Sequence, residues 1–218
     1  MYKKGTNVLS SLSFFDNMYS FVGYVDRVRS NNVEVTSFRH DNKQICRIPD
    51  LPEPVFGHST IKTQSGVVSC GGEDNSNLAT NKCWKLSKNN EWVPFPSMIV
   101  KRDDFAMVEG MGQLFSVGGY MDDLSSIEWI SIQDGKKWVK QAIPFDIIGH
   151  CISKYSRTRF LLTGGYLKSK QQSGSEVKEI NLQFASTQNI FHILIFVKLL
   201  SKFDSFNSIA DNSFNKMV

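Results

Sequence analysis

Leu114-Phe115-Ser116-Val117-Gly118-Gly119 is a short apolar run that ends in two glycines, and the chain repeats it. Val67-Val68-Ser69-Cys70-Gly71-Gly72 lies upstream and Phe160-Leu161-Leu162-Thr163-Gly164-Gly165 downstream. Gly72 to Gly119 is 47 residues and Gly119 to Gly165 is 46. Stepping back 49 from Gly72 reaches Gly23, inside Ser20-Phe21-Val22-Gly23-Tyr24, a copy that keeps one glycine. A fixed period of this size marks a repeat architecture in which each unit buries its apolar face against the next.

Two further marks accompany the glycines. Pro52, Pro96 and Pro144 each follow an apolar residue and precede a basic one by six positions, namely His58, Arg102 and His150. Trp84 and Trp92 follow one Gly-Gly pair, and Trp129 and Trp138 follow the next at nearly matching offsets. Within the unit after Pro96 the strand signals are short and evenly spaced: Phe105 to Val108, Leu114 to Val117, Ile127 to Ile132 and Lys137 to Gln141. Glu109 to Gly112 and Asp134-Gly135 read as the turns between them. Four antiparallel strands per ~47 residues describe one blade of a β-propeller. Helical periodicity is absent over residues 1–184, so the fold class is all-β.

Phe95-Pro96-Ser97-Met98-Ile99-Val100-Lys101-Arg102, with the Gly-Gly pairs and with Trp92 and Trp138, resembles the kelch-repeat family. The resemblance implies a partial kelch-type β-propeller of about four four-stranded blades. The repeat region is read as residues 8–184, with units near 8–50, 51–98, 99–145 and 146–184. Residues 185–218 are read as a non-repeat tail, irregular or helical, because the expected Trp and Leu-Pro do not follow Phe184. For that tail a capping segment, an amphipathic partner helix and the off-pattern end of a truncated gene model are the competing readings, the last one favoured.

Composition bounds function only loosely. The 218 residues are 41% hydrophobic and 21% charged with net charge +4, an ordinary globular balance that gives no argument for nucleic acid. The longest apolar run, Ile190 to Leu200, is broken by His192 and Lys198 and is too short for a span of ~20 residues, so no membrane span is expected. Val8 to Phe15 reads as a strand better than as a signal peptide. Cys46, Cys70, Cys83 and Cys151 show no zinc spacing. Cys70 and Cys83 flank one strand-loop-strand unit, so they pair in a secreted context or stay reduced otherwise. The compartment is open, with the cytoplasm slightly favoured.

No motif for a nucleophile, a phosphate-binding loop or a metal helix is present. His58 and His150, in one repeat register, are expected to be structural. Asp103-Asp104 and Asp122-Asp123 are expected to be solvated loop charges. Variation between units concentrates in the loops after the Gly-Gly pairs, where repeat scaffolds carry their binding residues. The candidate partner-binding residues are Asp74, Asn75, Tyr120, Asp122, Asp123, Tyr166 and Lys168, with no catalytic residue, cofactor or metal ligand. The expected function is a non-enzymatic module that binds another protein. Two alternatives follow from the resemblance: a propeller enzyme acting on sugars, of oxidase or sialic-acid isomerase type, and a fragment of a larger kelch protein such as a ubiquitin-ligase substrate adaptor.

Overall fold

The computed structural model describes residues 6–14, 17–25, 28–37, 47–120, 125–169, 171–173, 177–187 and 190–200. The strands in chain order are β1 (Thr6–Phe14), β2 (Asn17–Val25), β3 (Val28–Arg29), β4 (Val33–Ser37), β5 (Ser59–Thr63), β6 (Gly66–Cys70), β7 (Cys83–Leu86) and β8 (Trp92–Phe95). They continue as β9 (Ala106–Gly110), β10 (Gln113–Val117), β11 (Ser126–Ser131), β12 (Val139–Ala142), β13 (Ile148–Lys154), β14 (Arg159–Leu167), β15 (Gln172–Ser173), β16 (Val177–Thr187) and β17 (Ile190–Leu200). There is no helix among the described residues.

These strands make four antiparallel sheets, β1–β4, β5–β8, β9–β12 and β13–β17, which are blades 1 to 4. The first strands of successive blades touch in the order β1, β5, β9, β13, so they line a common axis. Between blades lie three apolar clusters. Tyr19, Phe21, Leu51 and Val67 fill the first junction, Val68, Met107, Leu114 and Ile130 the second, and Phe115, Val117, Phe160 and Ile180 the third. This is the interior a thin sheet needs when it cannot shield both of its own faces. Inner strands β6 and β10 are correspondingly buried on both faces, whereas Cys151, Ser153 and Thr163 on one face of blade 4 are exposed.

The Gly-Gly pairs occupy equivalent places around the hub. The Gly72 N–H donates to the Arg102 carbonyl at 2.7 Å, and the Gly119 N–H donates to the Ile147 carbonyl at 2.9 Å. A parallel chain of bonds runs from blade to blade: the Asp104 N–H donates to Gly57 O and the Gly149 N–H to Asp104 O, both at 2.8 Å. Both glycines of a pair have positive φ, 62° and 107° at Gly118 and Gly119. A Cβ on Gly118 would lie 2.9 Å from the His150 ring of the next blade, and one on Gly119 would lie 2.8 Å from Phe105 Cβ of its own. The first glycine therefore admits a flat ring from the neighbouring blade, and the second lets the chain pass its own first strand.

These bonds set the true register of the repeat. Leu51, Met98 and Ile143 each donate a backbone N–H to the equivalent strand edge, at Asn31 O, Asn81 O and Ser125 O. Four residues on, Val55, Arg102 and Ile147 correspond, and seven residues on come His58, Phe105 and His150. The expected alignment of His58 and His150 with Arg102 is thus corrected: the histidines replace Phe105. The coincidence arose because Pro96 is the counterpart of Pro49, not of Pro52. Two indoles confirm it, since Trp92 Nε1 donates to Pro49 O at 2.9 Å and Trp138 Nε1 to Pro96 O at 2.7 Å. Trp84 and Trp129, by contrast, are one residue out of step, because Trp84 faces Ser69 whereas Glu128 faces the equivalent Ser116.

The tail also departs from expectation. Residues 190–200, expected to be irregular or helical, form β17 and pair with β16 from Ile190↔Thr187 to Leu200↔Val177. A run dense in Ile, Phe and Val favours the extended backbone, and pairing completes the four-strand order β13-β14-β16-β17. Residues 201–218 lie outside the described residues.

In blade 2, Cys70 and Cys83 stand directly opposite each other across β6 and β7 and are joined by a disulfide. The pair takes the place that Val117 and Ile127 hold in blade 3. Of the two readings left open for these cysteines, the structure shows the bonded one.

Candidate functional site: the loop face

Each Gly-Gly pair delivers one residue to the same end of the propeller: Glu73, Tyr120 and Tyr166. Glu73 bridges to Phe56, Tyr120 to Asp103, and Tyr166 pairs with Ile148, so the three keep equivalent backbone positions. Tyr120 and Tyr166 are 45% and 40% exposed, large fractions for aromatic side chains on a rigid backbone. The Lys168 ammonium of blade 4 lies 4.8 Å from the Tyr120 ring centroid of blade 3. That separation is within cation–π range. The structure thus brings Tyr120 and Lys168 together and sets Tyr166 on the same strand as Lys168's loop.

Other candidates have different roles. Asp74 Oδ1 accepts the Ser76 and Leu78 N–H groups at 2.8 and 3.3 Å, which folds the loop locally. Its carboxylate shapes the loop that displays exposed Asn75 and Leu78. Asp122 and Asp123 lie outside the described residues. Asp146 holds the blade 4 loop by accepting the Ser169 hydroxyl at 2.6 Å.

Residues not expected to contribute shape the electrostatics of this end. Asp103 is buried, and its Oδ1 has no hydrogen-bond partner. Its carboxyl is pushed up to about 6, first by burial and then by the neighbouring carboxylates of Asp104 and Glu73. Asp104 is raised by burial and by Glu73. The expected solvated pair Asp103-Asp104 is therefore corrected, because the hub backbone draws both inward. Asp104, at φ 49°, stands where Gly57 and Gly149 stand in the flanking blades. That glycine-to-aspartate exchange was the available signal. Arg29 of blade 1 offsets part of the negative charge, 3.1 Å from Glu73 and 2.9 Å from Asn77 Oδ1.

The conspicuous buried groups away from the loops are packed or paired inside the blades. Arg102 and Glu128 are 1% and 0% exposed and pair at 2.9 Å. Arg102 also donates to Gly118 O and to Ser126 Oγ, and Glu128 accepts the Ile99 and Val100 N–H groups at 2.6 and 2.9 Å. Such saturation ties the lead-in segment to blade 3. His58 and His150 are buried, and burial lowers both to about 4, outweighing for His58 a backbone hydrogen bond with Val55 that acts in the opposite direction. They are neutral aromatic plates at a position where the third copy is Phe105. Among the described residues no cluster of three His, Cys, Asp or Glu groups is placed to hold a metal, and no helix is long and apolar enough to cross a membrane.

No protein-family model matches the chain. Kelch-like protein 41a of Danio rerio is 30% identical over 125 residues, which is 55% of this chain and 21% of that protein. Spermatocyte protein spe-26 of Caenorhabditis elegans is 32% identical over 81 residues, 37% of this chain and 14% of that protein. The chain thus spans about a fifth or less of the curated relatives it matches. The solved structure of YjhT superposes with a TM-score of 0.65 at 13% identity, covering 91% of this chain and 64% of that one. At that identity the likeness speaks for the fold alone. Repeat register and blade geometry agree with these likenesses: the fold is that of a partial β-propeller, and the chain is similar in part to kelch-like proteins.

Proposed function

We propose that the chain is a non-enzymatic binding module whose loop face, centred on Tyr120, Lys168 and Tyr166, receives another protein. The observation that carries this reading is the exposure of two tyrosines and an interlocked lysine at equivalent ends of a rigid hub. Aromatic residues that lose little side-chain freedom on docking are the usual anchors of protein interfaces. A kelch-like relative supports the same role by similarity, over the part of it that this chain matches.

The test is affinity capture, identification of the captured protein, and titration of that purified partner. Tyr120→Ala and Lys168→Ala should each weaken binding, by about 1–2 kcal/mol for the tyrosine. Unchanged affinity in both variants dismisses the loop face. Turnover of a sugar by the purified chain would replace the reading with an enzymatic one.

A further inference from the structure

The outer strands of the four blades differ in length and in what they offer a neighbour. β4, β8 and β12 have five, four and four residues. Each also carries a residue that discourages another strand from pairing: Glu34 in β4, Pro94 in β8 and Lys140 in β12. Short edges bearing charge or proline are the ordinary protection of a sheet margin. β17 has none of this protection over most of its length. Its eleven residues, Ile190–Leu200, include no proline or glycine and one full charge, Lys198. The strand ends the order β13-β14-β16-β17, so among the described residues no strand lies on its outer side. Its inner side is engaged throughout by β16, where Lys198 stands opposite Glu179. β16 in turn meets β14 only at residues 178–181, so residues 182–187 and 190–195 continue past the sheet as a two-stranded ribbon. A ribbon of two strands is marginal in water and gains from a third.

We propose that the outer edge of β17 is an interface for a second copy of this chain, whose own β17 pairs with it antiparallel about a two-fold axis. The strand is its own complement. With the axis at Ile195, Ile190 faces Leu200, Phe191 faces Leu199, Ile193 faces Val197 and Leu194 faces Phe196. The two polar residues then meet each other, His192 opposite Lys198, and no lysine faces a lysine. Facing aromatic and branched residues are pairs that stabilise antiparallel strands. Eleven residues on each side give about ten backbone hydrogen bonds between the chains, the number that a standard protein–protein interface carries. A two-fold contact uses the same edge of both copies, and each chain presents one outer edge of this length among the described residues, so assembly stops at the dimer. The first strands line the axis whereas β17 lies on the rim, so the interface does not rest on the loop-face reading.

The test is sedimentation of the intact chain over a dilution series, together with hydrogen exchange along β17. In a single chain, alternate β17 amides point to β16 and the intervening ones point outward. The expected result is a reversible species of twice the chain mass, in which the outward amides become protected as the dimer forms. Leu194→Lys and Leu194→Glu should each weaken the dimer by about tenfold, since the two copies of position 194 lie diagonally across the axis and each substitution counts twice. Leu194 is opposite Gln183 in the hairpin, a polar neighbour for the new charge. Mixing the two variants should restore a dimer with one chain of each kind. Should the variants misfold, the exchange pattern of the parent decides. A chain that remains monomeric, a dimer whose outward amides still exchange freely, or a dimer indifferent to both substitutions overturns the interface. Outward amides already protected in a monomer would mean that the chain covers its own edge, and would overturn it equally.

Discussion

Acid should unfold this propeller through His58 and His150. Both rings are buried between blades and stay neutral down to about 4, against 6.5 for a free histidine, because burial disfavours the charged form. The unfolded chain therefore binds protons that the folded chain refuses between those values. Stability present above pH 6.5 falls as pH falls, and the loss levels off below about 4. Each ring contributes a loss of about 2 kcal/mol at pH 5 and about 3 kcal/mol near pH 4, so the pair removes roughly 4 kcal/mol by pH 5. Asp103, raised to about 6, acts in the opposite sense, favouring the folded state in acid and losing that contribution as pH rises through 6. The decisive comparison is thus with the doubly substituted His58→Phe, His150→Phe chain, which keeps Asp103 and borrows the residue of blade 3. Urea unfolding of both proteins at pH 7.5 and 5 should show the parent losing about 4 kcal/mol more than the variant. Equal pH dependence in the two proteins, or imidazole titration near 6.5 in the folded state, refutes the reasoning.

Other outcomes follow from the same geometry. Arg102→Ala strands Glu128 in the interior of blade 3 and should cost about 3–5 kcal/mol, measured by chemical denaturation. Gly119→Ala should be more damaging than Gly112→Ala: both have positive φ, but only the first would push a Cβ against Asp103 O and Phe105, whereas nothing lies within 4 Å of the second. The difference in thermal midpoint between the two variants isolates close approach from backbone strain. Replacing Cys70 and Cys83 by Val and Ile, the pair blade 3 uses, should preserve the fold but lower stability by about 2–3 kcal/mol, the contribution of closing a loop this short. In the parent, reductant should reproduce that loss.

The fold was legible because the strongest constraint on it is written in one residue type. In blades 2 and 3 only glycine permits a neighbour's ring and the chain's own first strand to occupy the same corner, and the doubled glycine there makes the repeat visible. The tryptophans at 92 and 138 were legible for a similar reason, as each indole needs one carbonyl at a fixed distance along the repeat. The register of the histidines was not. Proline recurs at two places in the lead-in, and spacing alone could not separate Pro49 from Pro52. β17 was missed because the repeat marks of the outer strand are weak, and what holds Ile190–Leu200 is pairing with β16. Asp103 and Asp104 looked solvated because adjacent acids usually are, and only the backbone path around the hub brings them inward. Tyr120 and Lys168 were chosen for loop variability. Their contact across two blades depends on tertiary placement that no local pattern encodes.

The central claim is that equivalent backbone bonds join the blades around one hub. Native-state hydrogen exchange at the Gly72, Asp104, Gly119 and Gly149 amides addresses it directly, since each donates to a neighbouring blade. These four amides should be protected and should exchange together, in a common opening that denaturant promotes. Exchange of any of them at the rate of an unstructured peptide, with the sheet interiors still protected, would contradict the arrangement.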